Sequence, residues 1–520
     1  MDFISFATVI IMAVTVLFTL TPQLHILQLN SYYNVRFWGY LKENIKTSSI
    51  MSVVFSALVC VLFFVSPVAS LVLASLLSVI RVSHAIYKTK TAKKKIVYTG
   101  RVKRMYATAT ILLTALSALS IVFPAISVIA LSSIIGFVPF FAMVVNLINA
   151  PIEFSMRQYF INDAKKILKN HSPMKIIGIT GSYGKTSTKH ILGRILSEKY
   201  NVTITPGGFN TPMGVVRTIR ENLRRDSEVF VVEMGAKRVG DIKEICEIVH
   251  PSDSIITSIG PQHLNTFGSL QNVTKTKFEL ADESVKNGGK IYANLDTDEI
   301  AKNSQNYELQ GYGIDNRSGR AYADNITCDR TGVKFDLHID GRVINLSSKL
   351  LARHSIQNIT AAALIASDLG VSDKDIAYAV RSLAPISHRL EMKSFFGGAV
   401  LIDDAYNANP EGSIAAMEVI GNFKPMKRIV VTPGLVELGE KEYECNVALG
   451  AAAAKNADEL IFVGIERSKP LVDGAKSVSF DENKIKVVKT FNDAADYLKT
   501  ICDSNTAVIF ENDLPDNYAK

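Results

Sequence analysis

The sequence predicts an α/β protein carried behind an N-terminal multi-span α-helical membrane region, with two soluble domains built on parallel sheets. Three observations predict this. The apolar excess of the 520 residues sits almost entirely before residue 150. From Lys175 onward, short β-branched runs alternate with amphipathic stretches. A glycine-rich loop joins the first of those runs to a helical pattern. A composition 48% hydrophobic and 20% charged excludes a disordered or collagen-like chain. The five cysteines, Cys60, Cys246, Cys328, Cys445 and Cys502, are scattered and form no C-x-x-C pair. That pattern argues against a disulfide framework or thiolate zinc site, and a reducing compartment fits better.

The first region, 1–150, holds three uncharged apolar runs at 4–20, 48–80 and 107–150. A crossing helix needs about 20 apolar residues, so the second and third runs suit hairpins, broken at Ser66-Pro67 and near Pro124. Five spans are expected, at 4–20, 49–65, 67–82, 107–123 and 127–148. The basic loops at 22–48 and 81–106 should face the cytoplasm. An odd number of crossings from an outside N-terminus then delivers everything after 150 to the cytoplasm, giving a multi-pass cell-membrane protein. A cleaved signal peptide is a poor alternative for the first run, which lacks a basic n-region and is followed by further spans. The uncharged runs offer no ion path, so the region reads as an anchor. Residues 81–106 hold nine Lys/Arg and no Asp or Glu, and account for most of the net charge of +8. That charge therefore points to anionic lipid headgroups, at roughly 1 kcal/mol per residue, and not to nucleic acid.

The soluble strands are expected at 176–180, 229–235, 254–260, 290–296, 399–404, 428–434, 459–464 and 507–512. Apolar strands separated by helical segments imply parallel sheets covered on both faces. The stretch 311–350 alternates polar and apolar residues around Gly-Arg and Asp-Gly turns, and reads as a small antiparallel excursion. Two domains are expected, a central one at 171–386 and a smaller Rossmann-like one at 387–520.

The sharpest motif is Thr180-Gly181-Ser182-Tyr183-Gly184-Lys185-Thr186-Ser187, after a buried-type strand and before a helix. Glycines let backbone N–H groups turn inward around phosphate oxygens, and the helix N-terminus adds its positive dipole end. Lys185 can neutralise β- and γ-phosphates, and the Thr186 hydroxyl can ligate Mg²⁺. An ATP-binding loop is the reading that this register supports.

The short T-G-x-x-G-K-[TS] form resembles the Mur ligases, which join amino acids or peptides to cell-wall precursors using ATP. The resemblance continues through Glu233 in Val231-Val232-Glu233-Met234-Gly235, His263-Leu264 with Gly268-Ser269, and Lys277 in Lys275-Thr276-Lys277-Phe278-Glu279. It implies that Glu233 and His263 are metal ligands and that Lys277 is carbamylated by CO2, adding a third ligand. Oxygen ligands suit a hard cation; His263 rests on the resemblance alone. Arg353-His354-Ser355-Ile356-Gln357-Asn358 resembles R-H-N-x-x-N, whose last Asn reads adenine, with Ser355 in place of the first Asn. Ser387-His388-Arg389-Leu390-Glu391 resembles the hinge, with Arg389 on the nucleotide. Asp403-Asp404-Ala405-Tyr406-Asn407-Ala408-Asn409-Pro410 resembles the MurF-type branch, the D-alanyl-D-alanine-adding ligases, with Asp404 on the ribose. Pro433-Gly434-Leu435-Val436-Glu437-Leu438-Gly439 points to the same branch.

The resemblance covers about 175–520. It implies an ATP-dependent C–N ligase acting through an acyl phosphate, with Lys185, Lys277 and His263 as catalytic residues. The ATP site would comprise Gly181, Ser182, Tyr183, Gly184, Lys185, Thr186, Ser187, Asn358, Arg389 and Asp404. Thr186, Glu233, His263 and carbamylated Lys277 would hold Mg²⁺. The expected substrates are a muramyl-peptide precursor and D-Ala-D-Ala. Because apolar spans stand where that branch has its UDP-sugar domain, a lipid-linked acceptor or another amine is the alternative. The family's K-G-S is replaced by Phe510-Glu511-Asn512-Asp513, which bears on substrate rather than on chemistry. A transporter or sensor driven by a P-loop ATPase is the alternative of another class. It is disfavoured because the chain lacks an L-S-G-G-Q signature and has no strand ending in Asp-Glu. A catalytically dead scaffold would not need Lys185, Glu233, His263 and Lys277.

Overall fold

The computed structural model describes residues 3–43, 47–92, 94–171, 173–262, 264–406, 408–436 and 438–513. The chain forms two compact units, 1–159 and 160–520.

The first unit is helical. Its helices are α1 (Phe3–Leu29), α2 (Asn34–Glu43), α3 (Thr47–Val65), α4 (Pro67–Thr91), α5 (Gly100–Leu119) and α6 (Pro124–Gly136), with α7 (Val138–Lys169) starting in it and ending in the second unit. Pro67 sits at the first position of α4, where a missing N–H costs nothing, and the Ser66 hydroxyl accepts from Ala69 N at 3.4 Å. α1 packs on α4, and Thr15 Oγ1 donates to Ser78 Oγ at 2.6 Å across that buried seam. Large apolar side chains also face outward, among them Val61, Phe64, Val72, Leu76 and Ile111. Three helices, Phe6–Leu29, Pro67–Thr91 and Val138–Lys169, are long and apolar enough to cross a membrane; Ser56–Val65 and Pro124–Gly136 are shorter apolar helices. The expected span 127–148 is divided between α6 and α7, because Phe137 leaves helical geometry. The expected span 67–82 lies in a helix that continues through Arg81, Lys88 and Lys90 to Thr91, since no proline or glycine interrupts it. The expected 107–123 falls mainly in α5, and 49–65 in α3.

The second unit holds two sheets. The first comprises β1 (Lys175–Thr180), β2 (Val202–Ile204), β3 (Val229–Glu233), β4 (Asp253–Ile256), β5 (Ile291–Asn294), β6 (Leu309–Gly313), β7 (Ala321–Asp329), β8 (Gly332–Ile339) and β9 (Arg342–Ser348), ordered β2-β3-β1-β4-β5-β6-β7-β8-β9. The pairings from β2 to β7 are parallel, and β7-β8-β9 is an antiparallel meander. The expected excursion at 311–350 is therefore the edge of the main sheet, joined to it through β6. Ile177 and Ile179 of β1 are fully buried on one face, against Ile191, Leu192 and Ile195 of α8 (Lys185–Leu196). The second sheet comprises β10 (Glu391–Ser394), β11 (Val400–Asp404), β12 (Lys427–Thr432), β13 (Glu459–Val463), β14 (Ile485–Val488) and β15 (Thr506–Glu511), ordered β10-β11-β15-β12-β13-β14. Only β10 runs antiparallel. In both sheets the ligand-competent edge is the carboxyl end of the central strands, where connections diverge to either side.

Candidate active site

β1 ends at Thr180 between β3 and β4, and the phosphate loop turns from it into α8. Gly184 precedes the helix with φ +78°, and no side chain caps the helix start. The first-turn N–H groups are thus left for an anion. A Cβ at Gly184 would come 2.7 Å from Asn358 Oδ1, and one at Gly181 (φ +152°) would come 2.0 Å from Thr257 Oγ1. The loop is strapped to the segment after β4. Ser182 N donates to Ser258 O at 2.8 Å, Ser182 Oγ to Gly260 O at 3.0 Å, and Tyr183 N to Ser258 Oγ at 2.8 Å. The Tyr183 hydroxyl reaches Pro261 O at 3.0 Å. Lys185 Nζ donates to Gly181 O at 2.5 Å and Ser182 O at 3.0 Å, so its ammonium lies along the loop. Burial lowers its pKa to about 8, against the opposing pull of Glu233.

Thr186 and Ser187 open α8, and Thr186 Oγ1 donates to Glu233 Oε1 at 3.1 Å. Asn210 Nδ2 donates to the same oxygen at 3.0 Å, and Lys189 Nζ reaches Glu233 Oε2 at 2.8 Å. Burial alone would raise the Glu233 pKa; Lys189, Lys185 and Asn210 outweigh it and hold the carboxyl below its ordinary value. Thr186 and Glu233 form a hard oxygen set that fits Mg²⁺, which commonly takes one or two protein oxygens and completes its shell with phosphate and water. Among the described residues no three His, Cys, Asp or Glu side chains are grouped to hold a metal alone.

Lys277 lies on the helix Leu270–Lys286, 2% exposed. Burial, aided by Lys185, drives its pKa well below that of an ordinary lysine, although Asp241 and Glu279 pull upward. His263 lies outside the described residues, as do Asn407 and Glu437 of the two C-terminal motifs.

The second sheet approaches the same loop. Arg389 Nη2 donates to Thr186 Oγ1 at 3.4 Å, and its guanidinium stands 5.2 Å from the centre of the Tyr406 ring. Asp404 ends β11, and its Oδ1 accepts from Leu390 N at 3.1 Å. Asn358 is buried behind the loop, with Oδ1 accepting from Thr188 Oγ1 at 3.1 Å. Ser355, standing where the family motif has Asn, turns its hydroxyl onto Leu351 O at 2.6 Å. The structure thus brings Gly181–Ser187, Glu233, Asn358 and Arg389 around one loop, with Asp404 a strand end away.

Sequence reasoning did not single out Lys189 or Asn210, and it met Glu511 only within the stretch that replaces the family's K-G-S. Lys189 had a signal: four residues after Lys185, it falls on the buried face of α8, where a cation needs a carboxylate. Asn210 gave none, and nothing in the sequence pairs Glu511 with Asp404, because only the fold brings them to Glu233 and Asp404.

The match to known proteins covers this same region. Residues 179–366 match the Mur ligase middle domain, and 388–511 match the Mur ligase glutamate ligase domain. The chain is 29% identical over 304 residues to the UDP-N-acetylmuramoyl-tripeptide–D-alanyl-D-alanine ligase of Mycobacterium bovis, covering 57% of this chain and 59% of that relative's length. It is 25% identical over 338 residues to the ligase of the same name from Bacillus subtilis, covering 65% and 72%. MurF from Acinetobacter baumannii superposes with a TM-score of 0.61 at 26% identity, covering 70% of this chain and 78% of that one. MurF from Thermotoga maritima in complex with ADP superposes at 0.59 and 26%, covering 68% and 80%. With both Mur ligase domains present in order, the chain belongs to the Mur ligase family.

Proposed function

We propose that the protein is an ATP-dependent peptide ligase of cell-wall precursor synthesis, adding D-Ala-D-Ala to a muramyl-tripeptide carboxylate. The observation that carries the reading is the cluster of phosphate loop, Lys185, Thr186 and Glu233, with Arg389 reaching in from the second sheet. A carboxylate oxygen of the acceptor attacks the γ-phosphorus of ATP, and ADP leaves. The amine nitrogen of the dipeptide then attacks the acyl-phosphate carbonyl, loses a proton, and expels phosphate. That phosphate carries away one oxygen of the original carboxylate. Lys185 and the loop N–H groups neutralise charge on the transferring phosphoryl group, while Arg389 secures the nucleotide. Mg²⁺, held by Thr186 and Glu233 with His263 and a carbamate on Lys277 as further ligands, would screen the β- and γ-oxygens. Burial holds the Lys277 pKa well below that of an ordinary lysine and so favours the free electron pair that CO2 requires: the N–C bond forms, one N–H proton leaves, and a neutral amine becomes an anionic carbamate.

The outward apolar side chains of α1, α3, α4 and α6 support a multi-pass membrane anchor, with the ligase domains in the cytoplasm. They also favour a second reading, in which the acceptor is lipid-linked or the amine is different. Both readings share the chemistry. The test is an ¹⁸O-labelled acceptor carboxylate: one label should appear in the released phosphate. Phosphate free of label would overturn the acyl-phosphate route.

A further inference from the structure

At the carboxyl edge of the second sheet, two acidic residues stand side by side. β11 and β15 are parallel neighbours, and their register sets Asp404 opposite Glu511. Glu511 belongs to the Phe510-Glu511-Asn512-Asp513 stretch that departs from the family's K-G-S. Its side chain is 1% exposed. Oε1 accepts from Ser413 Oγ at 2.5 Å, on the helix Pro410–Gly421. Oε2 is buried and meets no N–H or hydroxyl donor among the described residues. The Asp404 carboxyl lies within hydrogen-bond reach of Glu511.

An acceptor-only oxygen buried against another carboxylate is costly on two counts, desolvation and like charge. A single proton between them removes both. It turns one oxygen into a donor and leaves one negative charge, as in other close carboxyl pairs. We propose that Glu511 is a positioning residue: it stands as a neutral acid, donates its proton to the Asp404 carboxylate, and so fixes that carboxylate for the nucleotide ribose. This rests on reading Asp404 as the ribose contact.

The surroundings place the charge on Asp404. Leu390 N donates to its Oδ1, and Asn512 N donates to its backbone oxygen at 3.2 Å. Arg389 favours its ionised form, while the neighbouring Asp403 opposes it. Asp403 is itself covered by His388 Nδ1 at 2.8 Å and Lys393 Nζ at 2.7 Å. Among the described residues, the groups that act on the Glu511 carboxyl are Asp404 and Ser413. Burial raises the Asp404 pKa to about 6, and burial together with the Asp404 charge drives Glu511 well above an ordinary carboxyl. The unpartnered Oε2 beside Asp404 and the upward direction of both carboxyls favour one proton kept between them. Rising pH removes it, leaves two facing carboxylates, and weakens the grip on the nucleotide.

The test uses full-length protein in detergent, titrated calorimetrically with ADP across a pH series, together with infrared difference spectra. Glu511→Gln supplies a permanent N–H donor in the same shape. It should bind ADP within about threefold of wild type at pH 7 and lose the alkaline fall that wild type shows. Glu511→Ala should bind about tenfold more weakly than wild type at pH 7 and show no alkaline fall of its own. The protonated carboxylic C=O band present in wild type should vanish in Glu511→Gln and persist in Ser413→Ala, which leaves the shared proton alone. If the band is unchanged in Glu511→Gln, the shared proton is overturned. If the band vanishes but Glu511→Ala binds ADP like wild type, the positioning role is overturned and the ligase reading stands. If wild type and Asp404→Asn bind ADP alike, the ribose reading of Asp404 itself falls.

Discussion

Lys189 Nζ stands 2.8 Å from Glu233 Oε2, and the two side chains are 0% and 1% exposed. The second Lys189 bond goes to Gly207 O at 2.7 Å, so the ammonium ties the loop after β2 to the end of β3. With Thr186 and Asn210 on the other oxygen, Glu233 is held ionised and in one orientation. Removing one partner of such a pair leaves a buried charge uncompensated, which costs about 3–5 kcal/mol. Lys189→Met should lose about that much stability by denaturant titration. A loss under 1 kcal/mol would mean that water reaches Glu233.

The conformation of the loop start gives a second expectation. At φ +78° an L side chain is strained by about 1–2 kcal/mol, and the Gly184 Cβ would also meet Asn358 Oδ1 at 2.7 Å. Gly184→Ala should keep its circular dichroism spectrum and bind ADP more than tenfold more weakly. Wild-type affinity in that variant would show that the loop does not hold phosphate in this geometry.

Lys277 supplies a third. An arginine has the length of the lysine but cannot take up CO2, so Lys277→Arg should lose more than about a hundredfold in kcat. Depleting CO2 should slow the wild type, and bicarbonate should restore it. Turnover of wild type indifferent to CO2 would remove the carbamate from the account.

Away from the site, Asp368 ties the main sheet to the helix Arg353–Asp368. It accepts from Arg320 Nη2 at 2.9 Å, Lys290 Nζ at 2.8 Å and Tyr292 Oη at 2.7 Å. Burial would raise its pKa, but Arg320, Lys290 and Tyr292 together hold it far below the ordinary carboxyl value. The stability it contributes is therefore present above the unfolded pKa near 3.9 and is lost as pH falls through the lower folded value. Asp368→Asn should be less stable by about 1–3 kcal/mol at pH 7, a gap that narrows on acidification. An equal gap at pH 7 and pH 3 would contradict this.

The eight predicted strands are β1, β3, β4, β5, β11, β12, β13 and β15, because a buried parallel strand is a continuous apolar run. The missed strands are short, like β2 and β14, or half-exposed, like β10 with its burial alternating along Glu391–Ser394. The phosphate loop was legible because its glycines, lysine and threonine are contiguous. Motifs announce Glu233 and Asp404, but Lys189–Glu233 and Asp404–Glu511 join residues 44 and 107 positions apart, and no local pattern pairs either one with its partner. The helical region was legible as apolar, but its breaks follow backbone geometry. Phe137 divides what reads in the sequence as one run.

The central claim is tested most directly by phosphate release from full-length protein in detergent, with Mg²⁺-ATP, UDP-muramyl-tripeptide and D-Ala-D-Ala, the product followed by mass spectrometry. Turnover should require both substrates, the product should be heavier by one D-alanyl-D-alanine unit, and both signals should be lost in Lys185→Ala. Phosphate release that ignores both substrates, or that persists in Lys185→Ala, would contradict that claim.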